Sequence, residues 1–370
     1  MKVGILSMQR VVNYGSFLQA YALKQTLSEL GHTVEFVDIE NTERIYTNMW
    51  PHQRKFVLNC CKAQIHRILG QKSIYHQMAT ELEEDNFYYR LYHQYPSLWN
   101  RYLGLSEKSN TCLEYDALVI GSDEVFNCAQ KSEWGQTMKL FGEGFSGACL
   151  ASYAASFAQT SLADLDGLSI REQVSLNLRR FSAISVRDEH SKNLIKALIG
   201  VEPSVQLDPV LIYDFPEVSA TGKQSDTLVI YAYPNRICEP VLIQEICSFA
   251  YKHNLRIVSI GAYYNWAESI VLTPFEVLKA FQEAAYVVTD TFHGTVFSLK
   301  YQKRFATIVR ESNFNKLSDL LMRFELSNRV IASFDKLSTV LESPYDKDNV
   351  KRKIAAGQYH AICFLREALQ

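Results

Sequence analysis

The segment 286–305 holds the residues of this sequence that are best suited to chemistry, YVVTDTFHGTVFSLKYQKRF. Its β-branched run 286–289 predicts a buried strand, and the polar turn 290–291 leads directly into an amphipathic helix. A helix that starts at the end of a strand presents unpaired backbone N–H groups and a partial positive charge. Because such a helix end binds phosphate or carboxylate, the segment predicts an anion site.

Two residues at the start of this helix could act on a bound anion. The imidazole of His293 can hold a phosphate oxygen or move a proton near neutral pH. Gly294 would let the backbone approach a ligand closely, because it has no side chain. The alternative is a helix N-terminus whose histidine only caps or packs, and the segment by itself supports both interpretations equally.

The elements that must position these residues alternate between strand and helix. Strands predicted at 2–7 and 33–38 flank a helix at 17–27, and this βαβ unit is typical of a parallel sheet with helices on its faces. The GxGxxG pattern is absent, which argues against an NAD site. The fold class is therefore α/β, with further strands expected at 117–123, 148–155, 183–188, 227–231, 256–260, 286–289 and 305–308.

The chain length favours two domains, because 370 residues exceed the roughly 150 residues of an average domain. We predict an N-terminal α/β domain at 1–215, a C-terminal α/β domain at 225–345, a polar linker at 219–226, and a final helix, 346–370, that packs back on the first domain. The helical and aromatic stretch 41–105 is an insertion. It could cover an active site or bind a partner, and a solvated helical hairpin without such a role fits it equally well.

Composition and charge exclude several classes of protein. The net charge is −2, so no basic field indicates nucleic-acid binding. None of the eight cysteines forms a CxxC or a Cys/His cluster, which predicts reduced cysteines, a cytoplasmic protein and no metal site. The first ten residues turn polar too early for a signal peptide, and no apolar run of about 18 residues could span a membrane.

Polar residues also follow three predicted strands of the first half. Residues 13–16 (NYGS) follow the first strand, 121–124 (GSDE) a central strand and 185–188 (SVRD) a later one. Ligands of open α/β sheets bind at the carboxyl ends of strands. We therefore predict that these turns face the turn 290–294 (DTFHG) across a cleft between the two halves.

Taken together and in this order, these blocks resemble the polysaccharide pyruvyl transferase family. The similarity covers nearly the whole chain apart from the insertion, and three positions depart from the family pattern: Glu124 replaces Gln, Phe126 replaces Trp and Arg304 replaces Pro. The matching blocks are NYGSFLQAYAL at 13–23, GSDEVFN at 121–127, SVRD at 185–188, DPVL at 208–211, DTFHG at 290–294 and KRF at 303–305.

The resemblance implies two facing Rossmann-like domains, as in the GT-B glycosyltransferases. It implies transfer of the enolpyruvyl-derived group of phosphoenolpyruvate to sugar hydroxyls as a cyclic ketal, in capsule or exopolysaccharide biosynthesis. Phosphoenolpyruvate would be a co-substrate, and neither a cofactor nor a metal is expected. The acceptor would be a free or lipid-linked sugar, and a lipid-linked one would bring the enzyme to the inner face of the membrane.

The residue types suit this chemistry independently of the resemblance. Arg187 offers a planar guanidinium to the phosphate or carboxylate of the donor. The sequence leaves open which group donates the proton to the methylene carbon and which accepts the proton of the sugar hydroxyl. Catalysis is assigned to His293, Asp123 and Asp290; donor binding to Arg187, His293, Gly294, Thr295 and Ser122; and the acceptor side or cleft lining to Asn13, Tyr14, Gly15 and Glu124.

Two other functions fit the same fold. A nucleotide-sugar glycosyltransferase would need an acidic residue for the ribose in the second half, where Glu268, Glu276 and Glu283 are the candidates, without a recognisable motif. A non-catalytic glycan-binding protein would be favoured if Arg187 or His293 were buried away from the cleft.

Overall fold

The computed structural model describes residues 1–39, 42–69, 71–130, 137–219, 222 and 225–370. Within these ranges the chain forms two parallel β-sheets with alternating helices, which confirms the predicted α/β fold class. Positions 41 and 70 of the predicted insertion, and four positions of the predicted linker at 219–226, lie outside the described residues.

The first sheet has six parallel strands in the order β2-β1-β3-β4-β5-β6. Every residue of β3 and β4 is buried, as expected where helices cover both faces of a parallel sheet. The strand order reverses between β1 and β3, so the turns that follow these two strands meet at a switch point. The strands are β1 (Lys2–Leu6), β2 (Thr33–Phe36), β3 (Ala117–Ile120), β4 (Cys149–Ala155), β5 (Ala183–Val186) and β6 (Ser204–Val205).

The second sheet has five parallel strands in the order β11-β10-β7-β8-β9. Its central strands β10 and β7 are almost entirely buried. The strands are β7 (Thr227–Tyr231), β8 (Arg256–Ile260), β9 (Glu268–Ile270), β10 (Tyr286–Thr289) and β11 (Arg304–Thr307).

Side-chain caps fix where several helices begin after a strand. Asn13 accepts hydrogen bonds from the amides of Gly15 and Ser16, and Asp188 accepts one from Ser191. The helices are α1 (Tyr14–Glu29), α2 (Thr42–Ile68), α3 (Lys72–His93), α4 (Tyr95–Leu98), α5 (Leu162–Gly167), α6 (Arg171–Leu178), α7 (Glu189–Ile199), α8 (Pro209–Ile212), α9 (Pro240–Lys252), α10 (Pro274–Glu283), α11 (Phe292–Lys300), α12 (Phe314–Arg323), α13 (Leu337–Glu342) and α14 (Lys347–Ala368).

Helices α2 and α3 form a hairpin within the predicted insertion. The Phe56 and Tyr89 rings stack with centroids 5.0 Å apart, and Asn59 donates a 2.7 Å hydrogen bond to Asp85. The far end of α3 reaches the second half of the chain, where the hydroxyl of Tyr88 accepts a hydrogen bond from the amide of Tyr263 at 3.3 Å. The hairpin therefore connects the two halves at one end.

The last helix, α14, returns to the first half and contacts α8 and β4. The Phe364 ring lies 6.3 Å from that of Tyr153, and the thiol of Cys149 donates to the carbonyl of Ala368 at 2.7 Å. We therefore propose 1–215 and 225–345 as two domains with 346–370 crossing back. No helix among the described residues combines the length and the apolarity that crossing a membrane requires.

The two halves share one apolar core. The ring of Phe275, from α10, packs edge-on against Phe17 and Tyr21 of α1 at centroid distances of 6.2 and 5.1 Å. The hydroxyl of Tyr14 donates to the carbonyl of Leu272 at 2.8 Å. These contacts bring the carboxyl ends of both sheets to opposite sides of a narrow cleft.

The pKa of Asp319 predicts a pH-dependent contribution to the contact between the halves. Burial raises the pKa of Asp319 in α12 to about 6, and the charges of Asp188 and Glu189 act in the same direction. Because this pKa is higher in the folded protein than in the unfolded chain, the carboxyl costs nothing below its unfolded pKa. Once the pH has risen through 6, the ionised carboxylate destabilises the fold by about 1–2 kcal/mol, since solvent screens part of its charge.

We therefore expect Asp319→Asn to raise the melting temperature by about 1–3 °C at pH 8 and to leave it unchanged near pH 4. Scanning calorimetry at the two pH values measures the difference, with Glu114→Gln at an exposed carboxylate as the control. An equal shift at both pH values would contradict a charge effect.

Candidate active site

Four side chains from separate segments converge in the cleft. Asp123 follows β3, Arg187 follows β5, Asp208 precedes α8, and His293 lies in the first turn of α11. All four are at least nine-tenths buried. The first three come from one half and His293 comes from the other, so this cluster exists only where the halves meet.

Arg187 is the cationic centre of the cluster. Its Nη1 lies 3.1 Å from Asp208 Oδ2, its Nη2 lies 3.7 Å from Asp123 Oδ1, and its guanidinium sits 4.1 Å above the ring of Phe292. Burial alone would lower the pKa of Arg187, but the surrounding carboxylates raise it above its ordinary value. The Nε atom has no hydrogen-bond partner among the described residues, so one donor remains for a ligand.

Asp208 joins Arg187 to His293. Its Oδ2 lies 3.6 Å from His293 Nε2 and accepts a 3.5 Å hydrogen bond from Ser122, while its Oδ1 accepts one from the amide of Val210. Burial would raise the pKa of Asp208, but His293 and Arg187 hold it below its usual value. Because 3.6 Å exceeds a hydrogen-bond length, Nε2 of His293 has no hydrogen-bond partner among the described residues. Asp208 had no predicted role, although it lies in the matching block 208–211.

The ring of His293 rests directly on the backbone of Gly15. A Cβ atom at Gly15 would lie 2.1 Å from both Cγ and Nδ1 of His293, so only glycine leaves room for the ring. Gly15 was predicted to line the cleft, and the structure gives a physical reason for a glycine there. The first half thus shapes the seat of the histidine of the second half.

Gly15→Ala is accordingly expected to lower kcat/KM at least 100-fold, because the ring of His293 must shift by about 1 Å or more to clear the new methyl group. Steady-state kinetics with a melting curve of each variant would measure the effect. Gly167→Ala is the matched control, since a Cβ there meets no atom within 4 Å. Full activity of the Gly15 variant would show that the ring position is not critical.

Asp123 is held in a backbone conformation that side chains rarely adopt, with φ of +83°. Its Oδ2 accepts a 2.6 Å hydrogen bond from the hydroxyl of Ser16, and its Oδ1 faces Arg187. The strained turn directs the carboxylate into the cleft. Ser16 had no predicted role of its own, although it lies in the turn 13–16 that was predicted to face the cleft.

The backbone N–H groups that are free to bind an anion at the start of α11 differ from those that were predicted. The amide of Gly294 donates to the hydroxyl of Thr291, and both the amide and the hydroxyl of Thr295 donate to the carbonyl of Thr291. A Cβ at Gly294 would lie 2.1 Å from the Thr289 hydroxyl, so this glycine accommodates the cap. Because these amides are occupied, the N–H groups that α11 can offer an anion are those of Phe292 and His293.

Among the described residues, the side chain of Asp290 contacts only residues of the second half. Its carboxylate lies 3.5 Å from Arg310 Nε and accepts a 3.4 Å hydrogen bond from the amide of Tyr233. Burial raises the pKa of Asp290 above its ordinary value. The structure thus separates Asp290 from the Arg187–Asp208–His293 contacts, which makes it the weakest of the three predicted catalytic groups.

Glu124, one of the departures from the family pattern, forms an ion pair across the cleft. Its Oε1 lies 2.5 Å from the ammonium of Lys316 in α12, and Asn127 donates to its other oxygen at 2.9 Å. Burial would raise the pKa of Glu124, but Lys316 and Arg187 lower it. The negative charge that this substitution adds is therefore neutralised from the opposite half. Lys316 had no predicted role.

A cavity of about 140 Å³ opens beside His293. Asn13 and Tyr14 line it from the first half. Residues at the end of β7 line it from the second half, and residues at the far end of the α2–α3 hairpin line it as well. The hydroxyl of Tyr95 is fully buried in this wall and has no hydrogen-bond partner among the described residues. Six tyrosines contribute to the lining: Tyr14, Tyr88, Tyr92, Tyr95, Tyr231 and Tyr233.

Solved structures share this fold at low sequence identity. The UDP-GlcNAc 2-epimerase from Neisseria meningitidis has a TM-score of 0.52 at 10% identity, over 99% of this chain and 100% of that chain. The spinosyn rhamnosyltransferase SpnG has a TM-score of 0.49 at 9% identity, over 100% and 99% of the two chains. The likeness to the epimerase, together with the two parallel sheets, confirms two facing Rossmann-like sheets as in the GT-B fold, and it bears on the fold alone.

A comparison with curated proteins gives no significant match. A comparison with protein families matches residues 13–312 to the description "Polysaccharide pyruvyl transferase". The matched range covers 300 of the 370 residues and includes both walls of the cleft, from the turn at Asn13 to the helix that carries His293. The chain therefore belongs to the polysaccharide pyruvyl transferase family.

Proposed function

We propose that this protein transfers the enolpyruvyl-derived group of phosphoenolpyruvate to two hydroxyls of a sugar, forming a cyclic ketal during synthesis of a capsule or exopolysaccharide. The observation that carries the proposal is the convergence of Arg187 and His293 on Asp208 in the cleft of a protein of this family. Phosphoenolpyruvate acts as a co-substrate in the cytoplasm.

Arg187 is the proposed anchor for the donor. Phosphoenolpyruvate carries a phosphate and a carboxylate, and a guanidinium binds either through two parallel hydrogen bonds. Arg187 contacts Asp123 at 3.7 Å, a longer distance than its 3.1 Å contact with Asp208. We expect an anionic group of the donor to displace Asp123 while Asp208 remains in contact with Arg187. The amides of Phe292 and His293 supply further donors.

His293 is the proposed proton-transfer group. The reaction adds a proton to the methylene carbon, which leaves C2 cationic. One sugar hydroxyl attacks C2, the phosphate leaves with its bridging oxygen, and the second hydroxyl closes the ketal. Of the two hydroxyl protons, one balances the proton taken up by the methyl group and the other leaves with phosphate. His293, whose Nε2 lies 3.6 Å from Asp208, is proposed to carry one of these protons, and Asp123, released from Arg187, accepts a hydroxyl proton.

The tyrosine-lined cavity is the proposed acceptor site. Sugar rings have apolar faces that pack against aromatic side chains, and their hydroxyls bind groups such as the phenol of Tyr95. Asn13 and Tyr14, which were predicted to lie on the acceptor side, line this cavity together with His293. An acceptor there would present its hydroxyls beside the imidazole.

The glycosyltransferase alternative has weaker support. Glu276 accepts both hydrogen bonds of the Thr273 cap, and Glu268 lies 3.6 Å from Arg256 at the surface. Neither they nor Glu283 line the cavity, so none is positioned there for a ribose. A non-catalytic role was tied to burial of Arg187 or His293 away from the cleft, whereas both are buried within it.

The proposal is tested by incubating the protein with phosphoenolpyruvate and a panel of free and lipid-linked glycans. We expect inorganic phosphate to be released together with a ketal-modified glycan that mass spectrometry identifies. A parallel panel of nucleotide sugars tests the alternative. Release of nucleoside diphosphate without consumption of phosphoenolpyruvate would replace the proposed function by glycosyl transfer.

A further inference from the structure

We infer that the α2–α3 hairpin docks the protein on a membrane surface rich in anionic phospholipid, through an apolar face near its tip. This hairpin face consists of Val57, Leu58, Ile65, Ile68 and Leu69. The inference goes beyond the proposed function and does not depend on the identity of the donor or of the acceptor.

The hairpin face concentrates exposed apolar surface. Its five side chains are between 52% and 78% exposed, and they are five of the fifteen large apolar residues exposed in the described part of the chain. At 100° per residue they span an arc of about 120° on one side of α2. The other side of α2 packs on α3 through Phe56 and Asn59. Such a continuous exposed patch marks an interaction surface.

The charge of the hairpin indicates an anionic partner. Positions 44–80 contain no Asp or Glu, although the whole chain has a net charge of −2. An exposed apolar stripe flanked by lysine and arginine is typical of helices that lie in the interface of an anionic bilayer. Lys62 and Arg67 are exposed beside the stripe. Lys55 is paired with Asp85 of α3 at 2.7 Å. The stretch has six basic residues: Arg44, Arg54, Lys55, Lys62, Arg67 and Lys72.

The hairpin also links this surface to the cleft. Helix α3 runs from the tip at Lys72 to Tyr88, which lines the tyrosine cavity, over about 24 Å at 1.5 Å per residue. Docking of the tip would therefore hold the cavity within roughly 25 Å of the bilayer. If the proposed function is correct, that distance suits a lipid-linked acceptor whose sugars extend from the membrane.

Vesicle flotation of the full-length protein tests the inference without any substrate. We expect binding to vesicles of phosphatidylcholine and phosphatidylglycerol that weakens with added salt, and at least tenfold weaker binding to phosphatidylcholine alone. The double variant Ile65→Glu/Ile68→Glu should bind anionic vesicles at least tenfold more weakly. Lys62→Glu/Arg67→Glu should lose the preference for anionic lipid.

The matched control is Leu176→Glu/Tyr359→Glu, at apolar side chains that are 60% and 69% exposed outside the hairpin. It should bind vesicles as the unchanged protein does, and circular dichroism would establish that all variants are folded. Equal binding to neutral and anionic vesicles, or no binding, would overturn the inference. So would a dimer that Ile65→Glu/Ile68→Glu dissociates without vesicle binding, which would assign the face to self-association.

Vesicle binding and ketal formation are measured separately, so failure of one is distinguishable from failure of the other. Ketal formation on a free glycan does not require the membrane, so Ile65→Glu/Ile68→Glu should retain it while losing vesicle binding. Absence of ketal formation in the unchanged protein would overturn the proposed function and leave the flotation result standing.

Discussion

Arg187→Ala is expected to weaken phosphoenolpyruvate binding about 30- to 1,000-fold, equivalent to roughly 2–4 kcal/mol. The substitution removes a desolvated, charge-assisted partner of the donor. It also leaves the carboxylates of Asp123 and Asp208 buried without their cation, which destabilises the fold by about 3–5 kcal/mol. A melting curve must therefore accompany the kinetics of this variant.

Arg187→Lys separates the two effects. It keeps the positive charge between the carboxylates but loses the planar pair of donors, so we expect a folded enzyme whose KM for phosphoenolpyruvate rises at least tenfold. Arg329→Lys is the matched control, because Arg329 is equally buried and donates to the carbonyls of Val340 and Ser343 away from the cleft. An unchanged KM in both Arg187 variants would remove Arg187 from the donor site.

His293→Ala is expected to lower kcat about 10²- to 10⁴-fold, the usual contribution of a positioned acid or base. His293→Gln keeps a hydrogen-bond donor of similar reach but cannot carry a proton, and we expect it to fail as well, less completely. The structural reason to expect a proton-transfer role is that Nε2 of His293 lies in the cleft, 3.6 Å from Asp208, and has no hydrogen-bond partner among the described residues. Single-turnover kinetics with both variants would separate binding from chemistry.

The control for this series is His190→Gln. His190 lies in α7, and its Nε2 is 2.9 Å from the carbonyl of Thr160, so the variant should keep full turnover. Nearly full activity of His293→Gln beside an inactive His293→Ala would contradict acid–base catalysis and leave anion binding as the role of His293. Full activity of both would identify His293 as an ordinary packing residue.

The sequence by itself determined the features that depend on neighbouring residues. Buried strands such as β3 and β10 read as apolar runs, and the polar turns after them were recognisable because a strand must end before a helix begins. Asn13 was assigned to the cleft from its turn and motif, and the structure adds that it caps α1. The ordered blocks sufficed for the family, which the comparison over residues 13–312 confirms.

The hydrogen bonds at the start of α11 could not be predicted from the local sequence. The sequence predicted that Gly294 and Thr295 offer groups to an anion, because the first amides of a helix lack backbone partners. The side chain of Thr291 and the helix itself take those groups, and Thr289 occupies the space beside Gly294. Cap geometry depends on rotamers and close approach, which residue type alone does not define.

Only the tertiary structure decided which distant groups meet. Gly15 makes room for the ring of His293, Asp208 joins Arg187 to that ring, and Lys316 neutralises Glu124 from 192 positions away. The sequence contained each residue, yet nothing in its local pattern distinguishes a carboxylate that faces the cleft from one that faces solvent. The physical reason is that ion pairs and steric fit act over a few ångströms in space, whatever the separation along the chain.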